Sequence, residues 1–283
     1  MKHLKVTVKT YKQIIKEYSV SLRGVTHIPA KEVEILLLHL LEKNTIWLHL
    51  NYDKECTCEV ELKKLVQRRA TEYPIEYITK KASFYGEMFH VAEGVLIPRP
   101  ETEILVDKAL EILKDTKSPK VLEIGVGSGI ISVMLAMLIE DIEITAVDIN
   151  DKALELAKQN AIKHQVEHKI TFIKSDLFTN VPSDIKFDMV VSNPPYIADD
   201  YKLPKNVKYE PSNALFGGKI GDELLKNIIK ETQLRGVRYL LCEMGYDQRK
   251  PLNKYIEENY KYKQLEFYKD LEKFDRGFCI EFK

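Results

Sequence analysis

The sequence predicts an α/β fold: a doubly wound, mostly parallel sheet with an antiparallel last strand, preceded by a small helical domain and a β-hairpin connector. Three observations predict it. From Glu101 onward helical and extended patterns alternate, as in a parallel sheet covered by helices on both faces. Two apolar runs end in unusual loops: Val121-Leu122-Glu123-Ile124 leads into Gly125-Val126-Gly127-Ser128-Gly129, and Phe187-Asp188-Met189-Val190-Val191-Ser192 leads into Asn193-Pro194-Pro195-Tyr196. Residues 1 to about 75 show helical periodicity and no strand signal.

In chain order, Lys31-Glu32-Val33-Glu34-Ile35-Leu36-Leu37-Leu38-His39-Leu40-Leu41 places apolar residues at helical spacing, and Glu59 to Thr71 repeats the pattern with Leu62, Leu65 and Val66. Pro74 ends this region. Ala82-Ser83-Phe84-Tyr85-Gly86-Glu87-Met88-Phe89-His90-Val91 switches to an aromatic, strand-like composition with one glycine. The expected organisation is therefore a helical domain over 1–75, a β-hairpin connector over 76–95 and an α/β domain over 96–283. Within the last, the patterns give helix 101–115, strand 120–125, helix 129–140, strand 143–149, helix 151–165 and strands 169–175 and 187–192. After a long polar loop come helix 221–235, strand 237–244, helix 247–260 and strands 263–269 and 276–282. No helix-length insert separates the final two strands, so they pair as a hairpin and the last runs antiparallel.

A chain of 283 residues can bury two cores. Its 43 Lys and Arg balance 43 Asp and Glu, which argues against phosphate backbones as the main binding partner, so no direct nucleic-acid contact is expected. With only Cys56, Cys58, Cys242 and Cys279, and no N-terminal apolar stretch like a signal peptide, the sequence argues against a disulfide framework and for a cytoplasmic location. The apolar stretch from Ile130 to Ile139 is far shorter than the roughly 20 residues of a membrane span, so no membrane partner is expected. Cys56-Thr57-Cys58 has no second Cys/His pair at matching spacing, and no metal is expected.

The two loops carry the chemistry. Glycines where a strand turns into a helix let backbone N–H groups approach a ligand, although an ordinary βα turn needs them too. Asp148, at the end of the next strand, stands where an acidic side chain accepts from both ribose hydroxyls. The Gly-x-Gly-x-Gly spacing offers no evident pyrophosphate site, which favours an adenosyl ligand without phosphates. Asp176 ends strand 169–175 and either accepts from an adenine amine, with Leu177 beside the ring, or caps a turn. In Asn193-Pro194-Pro195-Tyr196, the Asn193 side-chain oxygen and the Pro194 carbonyl are two acceptors for the two N–H bonds of a planar NH₂ group, whose lone pair then faces an electrophilic methyl group. Tyr196 packs on the flat substrate, and positive charge developing on nitrogen strengthens both hydrogen bonds in the transition state. A methylated amide nitrogen loses its proton to water, so no general base is required.

These residues, with Ser175-Asp176-Leu177, resemble class I, Rossmann-like methyltransferases that use S-adenosylmethionine to methylate planar nitrogens. Gly94-Val95-Leu96-Ile97-Pro98-Arg99-Pro100-Glu101-Thr102-Glu103 is similar to the signature of the HemK/PrmC family, protein-(glutamine-N5) methyltransferases acting on peptide-chain release factors. Arg68-Arg69, Pro74 to Ile78, Glu210-Pro211, Ala214-Leu215, Gly217-Gly218, Glu243-Met244-Gly245 and Gln248 extend the resemblance over about residues 30–283. Glu123 departs from the usual aspartate, and Leu177 stands where the family can carry an aromatic.

The resemblance implies S-adenosylmethionine as cofactor, held by Gly125, Val126, Gly127, Ser128, Gly129, Asp148, Asp176, Leu177 and Asn193. It implies catalysis by Asn193, Pro194 and Tyr196, a substrate rim that adds Pro195, Arg99 and Glu101, and class-1 release factors as protein partners. The N-terminal helices would grip the release factor or serve as a structural cap, and Arg99 and Glu101 could equally be a solvated helix start. A monomer is expected. Three rivals are a ribosomal-protein glutamine methyltransferase, a nucleic-acid adenine-N6 methyltransferase, which needs a basic groove and base flipping, and a non-catalytic binding module on the same scaffold.

Overall fold

The computed structural model describes residues 8–283, and the chain divides after Lys80 into two compact units. The first is helical. Helix α1 (Tyr11–Ser19) starts at a capping box in which Thr10 and Gln13 satisfy each other's backbone N–H groups. Helix α2 (Pro29–Leu41) opens on a proline, α3 (Thr45–Leu50) is capped by the Asn44 side chain, and α4 (Glu59–Ala70) follows. Their apolar stripes meet in a core containing Ile14, Leu22, Leu36, Leu37, Leu48 and Leu62. Across that core the Arg69 guanidinium grips the Glu32 carboxylate through two hydrogen bonds of 2.6 and 3.1 Å, joining α4 to α2.

Pro74 does not simply end this region. It heads a short helix, α5 (Ile75–Thr79), because its fixed φ suits a helix N-terminus. The hairpin expected from residue 76 is therefore confined to β1 (Lys81–Phe84) and β2 (Glu87–His90), joined by Tyr85-Gly86 with φ of 55° and 79°, the paired positive angles of a tight hairpin turn.

In the second unit a 3₁₀ turn at Pro100–Thr102 leads into α6 (Glu103–Leu113). Then come β3 (Lys120–Ile124), α7 (Ile130–Leu138), β4 (Glu143–Asp148), α8 (Asp151–Lys163), β5 (Ile170–Lys174) and β6 (Met189–Ser192). The polar loop beyond β6 contains two short strands, β7 (Ile197–Ala198) and β8 (Phe216–Gly218), whose parallel pairing folds it back on itself. Helix α9 (Glu223–Leu234), β9 (Tyr239–Glu243), α10 (Arg249–Asn259), β10 (Tyr262–Lys269) and β11 (Asp275–Phe282) complete the chain.

Among the described residues the main sheet has seven strands in the order β10-β11-β9-β6-β3-β4-β5. The five strands β9, β6, β3, β4 and β5 are parallel, and β11 is antiparallel to both neighbours. The terminal hairpin forms as the sequence predicts, with its last strand inserted between β9 and β10 rather than at the sheet edge. Helix α7 is buried along most of its length and packs with α6 and α8 over one face, whereas α9 and α10 cover the other. The strand order reverses direction at β3, whose neighbours β4 and β6 lead the chain to opposite sides, and such a switch point opens a crevice at the strands' carboxyl ends.

Gly129 joins this crevice to the core. Its φ is +83°, and a Cβ there would lie 2.9 Å from the Ala157 Cα on α8. Left-handed strain of about 1–2 kcal/mol and overpacking of about 1–3 kcal/mol make Gly129→Ala destabilising by roughly 2–5 kcal/mol. Calorimetric melting is expected to show the transition of the 81–283 unit moved down by several degrees.

Candidate active site

Adjacent strand ends assemble the site. The register pairs Ile124 with Ser192 on one side and with Val147 on the other, so Gly125 emerges between Asn193 and Asp148. Beyond β4, the Ser175 N–H donates to the Asp148 carbonyl at 3.0 Å, which sets the Ser175-Asp176-Leu177 turn alongside. These ends, together with Gly94, Val95 and Leu96, line a cavity of about 330 Å³. Its volume falls in the range of small-molecule sites.

The glycine loop and Asp148 are built as one piece. The Val147 carbonyl accepts from both Gly125 N–H and Val126 N–H, at 2.9 and 3.0 Å. One Asp148 oxygen accepts from Gly127 N–H at 3.0 Å and the other from Asn150 N–H at 2.9 Å, so the carboxylate is fixed by backbone. Burial raises its pKa, and the two backbone donors oppose that shift. Asn150 supplies the helix cap, its side chain accepting from Lys152 N–H at 3.0 Å. Apolar walls stand on either side: Ile149 is 56 % exposed at the cavity, and Leu177 is held against it at φ 46°, a conformation costly for a bulky residue. Ser175 stabilises that turn, its hydroxyl donating to the Leu177 carbonyl at 2.8 Å and accepting from Asn180 N–H at 2.9 Å.

Two features test whether this crevice suits an adenosyl ligand with an amino-acid tail. Gly125 and Gly127 have φ of +76° and +54°, and a Cβ on either would meet open space, so the loop presents bare backbone to the cavity. Behind it, Glu123 lines a small second cavity shared with Arg99, Gly127 and Asn193. Its Oε2 accepts from the Ser132 backbone at 3.0 Å and from the Ser132 hydroxyl, whereas Oε1 is buried with no hydrogen-bond partner among the described residues. Burial pushes the Glu123 carboxyl up to about 8. An orphaned buried carboxylate oxygen beside a bare-backbone loop fits the ammonium group of a methionine tail, and the larger, mostly apolar cavity next to Asp148 fits the nucleoside.

Asn193-Pro194-Pro195-Tyr196 is held from several directions. The Ser192 hydroxyl donates to the Ile124 carbonyl at 2.7 Å, and the Tyr196 carbonyl accepts from the Gln248 amide at 2.9 Å. Gly221 approaches the Tyr196 carbonyl so closely that a Cβ there would lie 2.5 Å from it. The Asn193 side chain donates from Nδ2 to the Thr102 hydroxyl at 3.1 Å, and that hydroxyl donates to Glu243 Oε2 at 2.7 Å. The Tyr196 hydroxyl donates to Glu243 Oε1 at 3.3 Å. Burial lifts the Glu243 carboxyl to about 7, opposed by the Thr102 hydrogen bond and the nearby Arg276 guanidinium, and burial also raises the Tyr196 phenol.

The predicted residues separate by position. Gly125, Gly127, Asp148, Asp176, Leu177 and Asn193 line the main cavity, as do Pro194 and Pro195. Val126 and Ser128 face the smaller one, and their side chains are buried. Gly129 lines neither cavity and instead packs against α8. Tyr196 also lies off the cavity wall, turned to Glu243. Arg99 borders the smaller cavity but is ion-paired to Glu210, whose second oxygen accepts from Ile97 N–H at 3.0 Å. Glu101 is half-buried and borders neither. Thr102 and Glu123 were not assigned roles from sequence. The only signal available was a hydroxyl inside a loop signature and a carboxylate inside an apolar strand.

Comparison with known proteins agrees with this geometry. The methyltransferase small domain family matches residues 102–209, and the PrmC N-terminal domain family matches residues 13–79. A release factor glutamine methyltransferase of Clostridium botulinum is 36% identical over 253 residues, covering 87% of this chain and 89% of that protein. One from Clostridium acetobutylicum is 35% identical over 272 residues, covering 93% and 95%, and one from Fusobacterium nucleatum is 37% identical over 239 residues, covering 82% and 67%. Among solved structures, the human METTL16 catalytic domain in complex with MAT2A 3′UTR hairpin 6 aligns with a TM-score of 0.58 at 17% identity, over 69% of this chain and 75% of that one. The N-terminal domain of human METTL16 in complex with SAH aligns with a TM-score of 0.53 at 17% identity, over the same shares. At that identity the likeness is one of fold, the class I S-adenosylmethionine methyltransferase sheet.

Asp148→Ala removes a fixed acceptor from the nucleoside side of the cavity. S-adenosylmethionine affinity is expected to fall by about 1–3 kcal/mol, the scale for charge-assisted hydrogen bonds. Calorimetric titration of the folded variant checks this, and an unchanged Kd would remove Asp148 from the ligand's contacts.

Proposed function

The chain belongs to the release factor glutamine methyltransferase family, and on that premise we propose that it methylates the side-chain amide nitrogen, N5, of the glutamine in the Gly-Gly-Gln motif of class-1 peptide-chain release factors. The observation that carries this reading is the Asn193 amide, whose nitrogen is tied to Thr102 while the residue borders both cavities at the sheet's switch point. S-adenosylmethionine, when bound, would supply an electrophilic methyl group, its methyl–sulfur bond breaking so that the sulfonium leaves as the neutral thioether. The Asn193 oxygen and the Pro194 carbonyl accept the two N–H bonds of the glutamine amide and aim its lone pair at that methyl. As the N–C bond forms, positive charge grows on the nitrogen and both acceptors bind it more strongly, so their stabilisation is greatest in the transition state. The methylated nitrogen then gives its proton to water.

In this reading Glu123 holds the ammonium of the methionine tail, Gly125 and Gly127 cradle the tail with backbone, and Asp148 accepts from the ribose hydroxyls. Pro195 shapes the substrate's side of the cavity, and Arg99 positions the loop through Glu210. The PrmC N-terminal family match supports assigning the helical unit to grip of the release factor, because a target loop alone offers too little surface for specificity. The protein would act as a monomer in the cytoplasm without touching nucleic acid. No helix among the described residues is long and apolar enough to cross a membrane.

Two outcomes follow. Asn193→Ala is expected to cut kcat by roughly 10²-fold or more, the scale for one preorganised transition-state partner, with a much smaller change in cofactor affinity. Mass spectrometry of release factor, set beside a variant with the motif glutamine changed to alanine, checks the substrate atom. Undiminished labelling of that alanine variant overturns the glutamine assignment. The second outcome concerns protons. Glu123 has a pKa of about 8 and is mostly protonated at pH 7, so pairing with an ammonium releases close to one proton. S-adenosylmethionine affinity should therefore rise from pH 6 to pH 7. Binding heats should differ between phosphate and Tris buffers, and Glu123→Gln should erase both effects.

A further inference from the structure

Asn193 serves the proposed chemistry only in one of two orientations. Its side-chain oxygen and nitrogen are nearly the same size, so rotation by half a turn fits the same space but presents N–H donors to the cavity. Two donors would then face each other where the substrate amide arrives. Something must select the acceptor-out orientation, and Asn193 by itself has no means to do so.

The hydrogen-bond chain behind it does. Glu243 and Thr102 are each 1 % exposed, so water does not complete their bonding. Above its pKa of about 7 the Glu243 carboxyl is ionised, and an ionised carboxylate can only accept. The single Thr102 proton is therefore committed to Glu243 Oε2 at 2.7 Å, and the hydroxyl has only a lone pair left for the side chain on its other flank, 3.1 Å away. That side chain must offer N–H, which leaves the Asn193 oxygen on the cavity side. The second Glu243 oxygen is occupied by the Tyr196 hydroxyl, and the Arg276 guanidinium nearby favours the charged carboxylate. The carboxylate is thus saturated by donors from the loop at 102 and the loop at 196.

We propose that Thr102 and Glu243 are positioning residues for methyl transfer, a donor-acceptor relay that fixes the Asn193 amide with its oxygen toward the reacting nitrogen. This rests on the reading that Asn193 receives the substrate amide. Glu243 lines neither cavity, and Thr102 borders the smaller one with its hydroxyl spent between Glu243 and Asn193, so each acts through Asn193.

The relay distinguishes polarity from packing. Thr102→Val keeps the shape but offers Asn193 no acceptor, whereas Thr102→Ser keeps the hydroxyl. Glu243→Gln keeps the volume and both hydrogen-bonding positions. One amide oxygen must then serve the two hydroxyls of Thr102 and Tyr196, and where the NH₂ faces Thr102 that hydroxyl loses its acceptor. Thr102 then donates to Asn193 and turns that amide around.

The test measures kcat and KM on intact release factor at about pH 8.5, where Glu243 is ionised, with S-adenosylmethionine Kd by calorimetry and melting temperature as the check on folding. Thr102→Val and Glu243→Gln are each expected to lower kcat by about 10-fold or more, the scale of mispairing one buried hydrogen bond. Their KM and cofactor Kd should stay within about threefold, and Thr102→Ser should recover most of the rate. A kcat within twofold of the unmodified protein for folded Thr102→Val and Glu243→Gln overturns the relay. So does a Thr102→Ser variant as slow as Thr102→Val, because the hydroxyl is then not what matters. If the unmodified protein leaves release factor unmethylated, the substrate reading fails instead. The relay is then tested on whatever planar amine the protein does methylate, with the same variants and the same twofold criterion.

Discussion

The register between β3 and β6 is the constraint on which the rest depends. Ile124 lies opposite Ser192, and the Ser192 hydroxyl closes that pairing on the Ile124 carbonyl at 2.7 Å, at the last residue before both loops begin. Side chains alternate along a strand, so a slip of one residue would turn the apolar residues of β6 to the wrong faces and carry Asn193 away from the glycine loop. The buried runs on both strands make that slip very costly. The separation between the cofactor loop and the substrate loop is thus set by the most rigid part of the molecule.

Three carboxylates stand at or near these strand ends, Glu123 and Glu243 buried and Asp148 half-buried, and their partners give them different work. Asp148 is satisfied by two backbone N–H groups and keeps its charge in a fixed place. Glu243 is satisfied by two hydroxyls and orients its neighbours. Glu123 is satisfied on one oxygen only. Burial raises all three, and Asp148 adds repulsion to Glu123. An unpaired buried charge is expensive, so the half-satisfied acid holds a proton until a cation reaches it, and it marks where that cation belongs.

The fold was largely legible because its signals are local: alternation of helical and extended patterns, a glycine turn, and Pro-Pro stopping a strand. Asp148 and Asn193 were legible for the same reason, each being a polar residue at or just past the end of an apolar strand. What escaped depends on contacts distant in sequence. Pro74 reads as a stop, yet it heads α5. The placement of β11 between β9 and β10 is fixed by pairing on both sides, which a hairpin pattern cannot reveal. Gly129 belongs to the same motif as Gly125 and Gly127, but its role depends on Ala157, a residue on another helix. The Thr102–Glu243 contact spans 141 positions and leaves no trace in local patterning.

The location of the polar network follows from the chemistry. The proposed transfer depends on direction rather than on a proton acceptor, because a methylated amide nitrogen loses its proton to water. Direction requires that an amide and a carbonyl be held still, and neither can be stiffened by groups that would compete for the substrate's N–H bonds. The stiffening therefore sits on the far side of the loop. Thr102 holds the Asn193 nitrogen, Gln248 holds the Tyr196 carbonyl, and Gly221 lets the backbone close behind it. This separates the two demands on the loop: the face toward the cavity keeps its acceptors open, and the face toward the core spends every donor on being held in place.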